Sequence, residues 1–290
     1  MKTIVTLFLC FCASGLWGQS KTYDYCYTRG GTIRVYSVAG KIEVPIMQAS
    51  AGQDACISPD GKKVAFTINY KDGGRNIGIV DLNTKLRTQL NTGSNNCFGP
   101  MWSPDGNYIA YQVFDQANSN WLIAIIGTQP DSQPKILTAQ LPQCYSPTWA
   151  GDSKHVVTQD MTSVYILDLS GNETTSYKIS DLAQTDGASS SDRFILTNDG
   201  TKLIFSVEMN EPGFSDGPPS AAFAYDIATK SSVRLSPKGY YCDGVFVKGN
   251  KVLFAGGRIT SKIENVYSVD LDGKNLKVLF PNAREISAKN

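Results

Sequence analysis

The tetrapeptide Ser58-Pro59-Asp60-Gly61 recurs as Ser103-Pro104-Asp105-Gly106, and β-rich runs follow both copies. Proline pre-sets the backbone for the second position of a tight turn, and glycine accepts the backbone angles needed at its end. Each tetrapeptide therefore predicts a hairpin turn. Looser versions of this turn follow at Ala150-Gly151-Asp152-Ser153, Thr197-Asn198-Asp199-Gly200 and Val247-Lys248-Gly249-Asn250.

The residues just before the five turns mark an internal repeat, with spacings of 45, 47, 47 and 50 residues. These aligned residues are Ile57, Trp102, Trp149, Leu196 and Phe246. Most repeats also contain a later turn with an aspartate, such as Val80-Asp81-Leu82-Asn83, followed by a further β-rich segment. Each repeat thus predicts four strands, a to d in chain order. Such units, repeating about every 45 residues, bury their faces by radial stacking into a β-propeller.

Residues 21 to 50 contain three strand-like pieces but no preceding turn of this kind. The pieces are Tyr23 to Tyr27, Ile33 to Val38 and Ile42 to Ile46. We interpret them as strands b, c and d of one more blade, whose strand a comes from Ala283 to Ala288. Pairing the two chain ends closes the ring and leaves no open edge. The prediction is an all-β fold, a six-bladed β-propeller of four-stranded antiparallel blades closed by the N- and C-terminal strands.

The order of an aromatic residue, Ser-Pro-Asp-Gly, a strand such as Tyr108-Ile109-Ala110-Tyr111 and a later Asp270-Leu271-Asp272-Gly273 turn resembles the TolB-type (WD40-like) propeller repeat. The resemblance spans residues 52 to 280 and is sharpest at 57 to 68 and 102 to 111. It implies the propeller fold and a binding role, because propellers of this family act as periplasmic adaptors that contact envelope lipoproteins.

The N terminus has the order of a secretory signal peptide, with Lys2, an apolar run from Ile4 to Leu16, and small residues before Gln19. We therefore expect a signal peptide over residues 1–20 and one exported propeller domain over residues 21–290, in the periplasm or outside the cell. No later segment approaches the about 20 apolar residues that a membrane span requires. The sequence predicts no membrane span.

Charge is balanced along the chain. The sequence has 27 Lys and Arg against 26 Asp and Glu, and removal of Lys2 with the signal peptide leaves 26 of each. Charged residues of both signs are interspersed, so there is no electrostatic footprint for nucleic acid. No nucleic-acid partner is expected.

Five cysteines follow the predicted signal peptide, and an exported chain can form disulfides. They are Cys26, Cys56, Cys97, Cys144 and Cys242. Cys97 and Cys144 each lie five residues before an aligned tryptophan, which makes them a candidate disulfide pair. The alternative is that they are buried small side chains in equivalent places of two blades. Without a Cys-x-x-Cys pattern or a nearby histidine, we expect no metal and no cofactor.

The segment Gly213-Phe214-Ser215-Asp216-Gly217 matches the Gly-x-Ser-x-Gly nucleophile elbow. An elbow needs a helix after the serine, but Pro218 and Pro219 follow here. The one histidine, His155, has no sequence link to Ser215. We therefore predict no catalytic residues, and we interpret the repeated turn aspartates as turn caps rather than calcium ligands.

Alternating strand directions place the a-to-b and c-to-d turns on one face of the ring, the turn face. The b-to-c and d-to-a loops lie on the other face, the variable-loop face. These loops differ from blade to blade, which favours this face for ligand binding. Aromatic side chains beside polar groups in these loops suit peptides or sugars. The candidate binding residues are Arg75, Asn95, Asn96, Tyr145, Phe214, Tyr240, Tyr241 and Asp243.

The leading hypothesis is an exported, non-enzymatic TolB-like propeller that binds an envelope or secreted protein or peptide through its variable-loop face. Two alternatives use a pocket at the ring axis: a hydrolase or lyase acting on a glycan or small ester, and a glycan-binding module. Carboxylates or metal ligands converging on the axis would favour an enzyme. An axis lined by backbone and apolar groups would argue against one.

Overall fold

The structure is a computed structural model that describes residues 21–50, 52–185, 187–209, 219–261 and 263–289. The predicted signal peptide, residues 1–20, lies outside the described residues. So do Phe214 and Ser215 of the Gly-x-Ser-x-Gly segment.

The described residues form six four-stranded antiparallel sheets, which are the blades of a propeller ring. The first blade contains β1 (Tyr25–Arg29), β2 (Thr32–Ser37) and β3 (Ile42–Gln48). The second contains β4 (Gln53–Ile57), β5 (Lys63–Asn69), β6 (Arg75–Asp81) and β7 (Arg87–Gln89). The third contains β8 (Cys97–Trp102), β9 (Tyr108–Asp115), β10 (Asn120–Gly127) and β11 (Lys135–Ile136).

The second half of the ring has the same organisation. The fourth blade contains β12 (Tyr145–Trp149), β13 (His155–Gln159), β14 (Ser163–Asp168) and β15 (Glu173–Lys178), followed by the helical turn α1 (Ile179–Leu182). The fifth contains β16 (Phe194–Leu196), β17 (Lys202–Glu208), β18 (Ser220–Asp226) and β19 (Ser231–Arg234). The sixth contains β20 (Tyr240–Lys248), β21 (Lys251–Arg258), β22 (Asn265–Asp270) and β23 (Lys277–Phe280), and β24 (Ala283–Ala288) follows it. Within the described ranges, no helix has the length and apolar character needed to cross a membrane.

The chain ends close the ring. Strand β24 is the inner strand of the first blade and pairs antiparallel with β1. The Ser287 hydroxyl accepts a hydrogen bond from the Ile57 N–H (3.0 Å) and donates one to the Ala55 carbonyl (3.1 Å), which joins β24 to the second blade as well. The predictions of six blades and of closure by the segment Ala283 to Ala288 are confirmed.

The Ser-Pro-Asp-Gly segments form the predicted hairpin turns. In the first, the Gly61 N–H donates to the Ser58 carbonyl at 2.9 Å, and the Asp60 carboxylate accepts from the Lys62 N–H at 3.0 Å. Gly61 has a φ of +70°, and a Cβ atom there would lie 2.2 Å from the Tyr23 carbonyl oxygen. Only glycine fits this position, because it needs both the left-handed backbone and the close approach. The aspartate caps the turn, as the sequence predicted.

The aligned tryptophans bind neighbouring blades together. The Trp102 indole N–H donates to the Cys56 carbonyl at 3.0 Å, and the Trp149 indole N–H donates to the Met101 carbonyl at 2.9 Å. Both acceptors belong to the inner strand of the preceding blade. Both indoles also belong to a buried apolar cluster that runs between several blades. The aligned aromatic position is therefore where one blade is attached to the next.

Replacement of Trp149 by phenylalanine is expected to lower the free energy of unfolding by about 1–2 kcal/mol. The change removes part of a buried ring and leaves the Met101 carbonyl without its donor. Urea unfolding measures the loss. The matched control is Trp121→Phe, because the half-buried Trp121 indole N–H makes no hydrogen bond with any described residue. An equal loss in both variants would contradict the inter-blade role of the Trp149 hydrogen bond.

The five cysteines that follow residue 20 are all buried free thiols. Burial raises the pKa of the Cys97 thiol, while the nearby Thr92 and Ser94 side chains oppose the shift. Burial raises the pKa of the Cys144 thiol to about 12, so it stays protonated. The candidate Cys97–Cys144 disulfide was wrong. Equivalent places in two blades bury both thiols without joining them.

Candidate binding site at the ring axis

The inner strands share an irregularity near their start on the variable-loop face. In β4, β8, β12, β20 and β24 the pairing register with the second strand of the blade shifts at this level, as in a β-bulge. At four of these bulges a residue has a left-handed backbone: Asp54, Gly99, Ser146 and Glu285, with φ between +48° and +68°. A bulge re-aims a side chain. Here the bulged residues line the cavities at the ring axis.

Each blade contributes one residue to this level, and we call the six residues the axial ring. They are Asp54, Gly99, Ser146, Arg193, Asp243 and Glu285. In the second to sixth blades the member stands three residues before the aligned position, and Glu285 stands three residues before Ala288 at the end of β24. The ring lines two cavities of about 310 Å³ each, and these adjoin because Asp54, Ser191 and Arg193 line both.

The first cavity, which we call the acidic lobe, contains four carboxyl groups and two guanidinium groups. Its charged lining residues are Asp54, Arg193, Asp243, Glu264, Arg284 and Glu285. Glu285 is held in place by the Thr28 hydroxyl, which donates to its carboxylate at 2.8 Å. The excess of carboxyl groups gives this lobe a negative formal charge.

Asp243 and Glu264 form a carboxyl pair in the acidic lobe. The Asp243 side chain is open to water from within the cavity, but the surrounding wall desolvates its carboxylate. This burial, together with repulsion by and hydrogen bonding to Glu264, raises the pKa of Asp243 from 3.8 to about 6, while Arg284 opposes the shift. Tyr241 also hydrogen-bonds to Glu264, and burial raises the pKa of this phenol to about 12. Asp243 therefore exchanges its proton closer to neutral pH than an ordinary aspartate does.

The raised pKa of Asp243 predicts a dependence of stability on pH. Between pH 3.8 and about 6 the folded protein holds a proton that the unfolded chain has lost, so stability falls as the pH rises through this window. Asp243→Asn is expected to be more stable than the wild type at pH 8, by less than about 1 kcal/mol because solvent screens the group. The difference should vanish below pH 4.

Urea unfolding at pH 4 and at pH 8 measures this difference. The control is Glu173→Gln, which neutralises an exposed carboxylate on the outer strand β15. A stabilisation by Asp243→Asn that is the same at both pH values would contradict the assigned cause.

The second cavity, which we call the aromatic lobe, has Phe98 and Trp121 in its wall with Arg75 between them. The guanidinium carbon of Arg75 lies 4.0 Å from the Phe98 ring centroid and 5.5 Å from that of Trp121. Its Nε and Nη2 groups donate to the Asn96 side-chain oxygen at 3.1 and 2.8 Å. Cation–π contacts and a paired hydrogen bond thus hold a positive charge in a fixed place.

Three of the predicted binding residues line these cavities: Arg75 and Tyr145 in the aromatic lobe, and Asp243 in the acidic lobe. Two more contact lining residues, since Asn96 bonds to Arg75 and Tyr241 bonds to Glu264. The structure brings these five residues together around the axis.

The other predicted binding residues are not brought to the axis. Asn95 borders a separate depression on the variable-loop face, and its backbone carbonyl accepts the Arg75 N–H at 2.8 Å. The Tyr240 hydroxyl accepts from the Arg258 guanidinium at 3.1 Å, and the Tyr240 ring packs edge-on against Tyr267. Phe214 lies outside the described residues.

Sequence reasoning missed most of the charged lining residues, including Asp54, Arg193 and Glu285. A signal was present, because these three stand at the same repeat position as Asp243. Counting back three residues from the five aligned positions finds five members of the axial ring, and counting back from Ala288 at the end of the closing strand finds Glu285. Glu264 and Arg284 carry no such signal, since they lie outside that repeat position.

His155 lies at the turn face, away from both cavities. Its Nδ1 is 2.6 Å from an Asp152 carboxylate oxygen, in the a-to-b turn of the fourth blade. Among the described residues, no group of three or more His, Cys, Asp or Glu side chains is arranged to hold a metal ion. The carboxyl groups of the acidic lobe are thus spread around the axis and do not form a compact ligand set.

No protein-family model and no curated protein matches the chain. Solved structures do match it. TolB from Acinetobacter baumannii aligns with a TM-score of 0.66 and 19% identity, over 92% of this chain and 66% of that chain. A TolB candidate from Agrobacterium tumefaciens aligns with a TM-score of 0.65 and 17% identity, over 90% of each chain.

A Mycobacterium tuberculosis puromycin-hydrolyzing peptidase aligns with a TM-score of 0.57 and 15% identity, over 89% of this chain and 44% of that chain. The chain spans just under two thirds of the A. baumannii TolB and less than half of the peptidase. At such identities the likeness concerns the fold. The chain is a six-bladed β-propeller that shares the fold of these TolB structures.

Proposed function

We propose that the protein is an exported, non-enzymatic propeller that binds a protein or peptide partner through its variable-loop face, with a segment of the partner entering the axial cavities. The observation that carries the proposal is the composition of these cavities. Carboxylates, guanidinium groups and aromatic rings line two adjoining cavities. A polypeptide offers the matching set of charges, amides and apolar side chains.

The size of the cavities suits the binding of a short segment of the partner rather than of a whole protein surface. Each lobe holds about 310 Å³, the lower end of the range of ligand pockets. Charges of both signs in fixed places favour one register of a bound chain over others. The predicted signal peptide and the fold shared with TolB structures support an exported protein-binding role.

A capture experiment tests the proposal. The tagged chain of residues 21–290 is incubated with envelope extract of the source organism, beside Arg193→Glu and the matched charge reversal Lys154→Glu. Lys154 is exposed in a turn of the opposite face. The wild type and Lys154→Glu are expected to retain the same stoichiometric protein, and Arg193→Glu at least about 10-fold less, because a charge in the binding cavity is reversed.

Absence of any specific protein with the wild type would contradict the proposal. Equal capture by all three proteins would keep the partner and exclude the axial cavities as its site. The next variant would then be Phe214→Ala, since Phe214 stays a prediction as a binding residue of the variable-loop face.

A second candidate function rests on the carboxyl pair. A carboxyl whose pKa is raised to about 6, beside another carboxyl group, is suited to general acid catalysis of glycan or ester cleavage. Turnover of a panel of glycans and small esters, lost in Asp243→Asn, would replace the binding proposal with an enzyme. Saturable sugar binding without turnover would instead identify a glycan-binding module.

A further inference from the structure

Gln112 carries an unused hydrogen-bond donor in the wall of the aromatic lobe. The side chain is only 3% exposed, and its Oε1 accepts the Ser146 N–H at 2.9 Å. Because a backbone N–H can only donate, the amide oxygen must face Ser146 and the NH₂ group must point away from it. That NH₂ group has no hydrogen-bond partner among the described residues, and its nitrogen is not sealed from the cavity.

A buried amide with two unused donor hydrogens indicates that an acceptor occupies the cavity in the working protein. The side chain is nine-tenths buried and held by Ser146, so it cannot swing into bulk water to satisfy its donors.

Arg193 supplies a second unused donor group at the same place. It belongs to the axial ring, is half-exposed and lines both lobes. It makes no hydrogen bond or ion pair with any residue in the described part of the chain. Arg75, across the lobe, uses Nε and Nη2 on Asn96, and its Nη1 donates to no described residue. The lobe therefore presents donors from three side chains.

The charge of the lobe favours an anion. Its lining includes two guanidinium groups, Arg75 and Arg193, against the single carboxylate of Asp54. One oxygen of Asp54 already accepts from the Thr67 hydroxyl at 2.8 Å. A net positive formal charge with several unused donors matches a carboxylate, whose two oxygens can take up a guanidinium and an amide together.

We propose that the aromatic lobe is a carboxylate-binding site for the peptide segment, an inference that rests on the proposed function. The carboxylate is either the C-terminal group of the segment or an Asp or Glu side chain. Arg193 supplies the charge and Gln112 the neutral donor. The rings of Phe98 and Trp121 contact the apolar atoms next to the carboxylate.

NMR titration of the isotope-labelled chain of residues 21–290 tests the site directly. The probes are N-acetylglycine, which carries a terminal carboxylate, and aspartate blocked by an acetyl and an amide group, which carries only a side-chain carboxylate. N-acetylglycinamide is the neutral control. The Gln112 side-chain NH₂ signals are the readout, assigned by their loss in Gln112→Glu. We expect them to shift saturably with a carboxylate and not with the amide.

Two variants at Arg193 separate a bound carboxylate from a general effect on the fold. Arg193→Gln is expected to lower the affinity for the carboxylate probe at least about 10-fold, because a charged donor is lost. Arg193→Lys is expected to recover part of that affinity. Both variants should melt at the wild-type temperature, since Arg193 bonds to no described residue.

A response to N-acetylglycine alone would identify a chain terminus, and a response to blocked aspartate alone an acidic side chain; either supports the site. No response to either probe, or an equal response to the neutral amide, would overturn it. Failure of the proposed function looks different, because no protein is then captured from the extract. If a partner is captured but neither excess N-acetylglycine nor excess blocked aspartate displaces it, the binding function stands and the carboxylate site is contradicted.

Discussion

A chain that ends at Asn282, without strand β24, is expected to melt at least about 10 °C below the intact protein and with reduced cooperativity. Strand β24 pairs with β1 and places Ala283, Ile286 and Ala288 in the core. Ser287 adds the two hydrogen bonds to the second blade. Without this strand, β1 becomes an open edge, and the ring becomes an array with two free ends.

Thermal unfolding followed by circular dichroism measures the effect. A peptide of residues 281–290, added in excess to the shortened chain, should restore part of the lost melting temperature by taking the place of β24. Point variants give the matched comparison: Ile286→Ala removes a buried side chain and should cost about 2–4 kcal/mol, while Val278→Ala changes an exposed one and should cost less than about 0.5 kcal/mol. Melting of the shortened chain close to the intact protein would show that closure contributes little.

The closure could be predicted from the sequence because the features that specify it are local. Proline, aspartate and glycine in a tetrapeptide specify a turn through their own backbone preferences, as Gly61 does. Five such turns then set a period, and a chain segment that has three strands and lacks its first must take that strand from elsewhere. The C-terminal strand was the remaining unpaired piece. Nothing in this step needed knowledge of side-chain packing.

The axial site was only partly predictable, because it depends on which residues at the beginnings of the inner strands meet at the ring axis. The polar and aromatic character of the variable loops predicts Arg75, Tyr145 and Asp243 as binding residues, and they line the cavities. Tyr240 lies in a loop of similar composition, but its hydroxyl accepts a hydrogen bond from Arg258 instead. The composition of a loop therefore does not reveal the direction of its side chains. The disulfide prediction was wrong for a related reason, since equal spacing places two residues equivalently without bringing them into contact.

The fifth blade shows how the fold is maintained where the aligned position is not aromatic. Its aligned residue is Leu196, which has no indole N–H to donate to the preceding blade. Three phenylalanines instead form a row across the blade, with Phe205 of β17 directly opposite Phe194 of β16 and Phe223 of β18. The ring centroids are 5.1 and 5.9 Å apart, and the planes are within 20° of parallel. This packing within the blade adds to a bond between blades, since the Thr148 hydroxyl of β12 donates to the Phe194 carbonyl of β16.

Phe205→Ala is therefore expected to lower the free energy of unfolding by about 3–5 kcal/mol, well above the loss expected for Trp149→Phe. The Phe205 side chain is 0% exposed and has an aromatic neighbour on each side, so its removal opens a cavity that two rings border. Urea unfolding with an unchanged m-value measures the loss, and Phe205→Leu, which keeps most of the volume, should lose less than half as much. If alanine cost no more than leucine, Phe194 and Phe223 would have to close the gap by contacting each other. The stability of this blade would then come from its strand pairing, and the aromatic row would be replaceable.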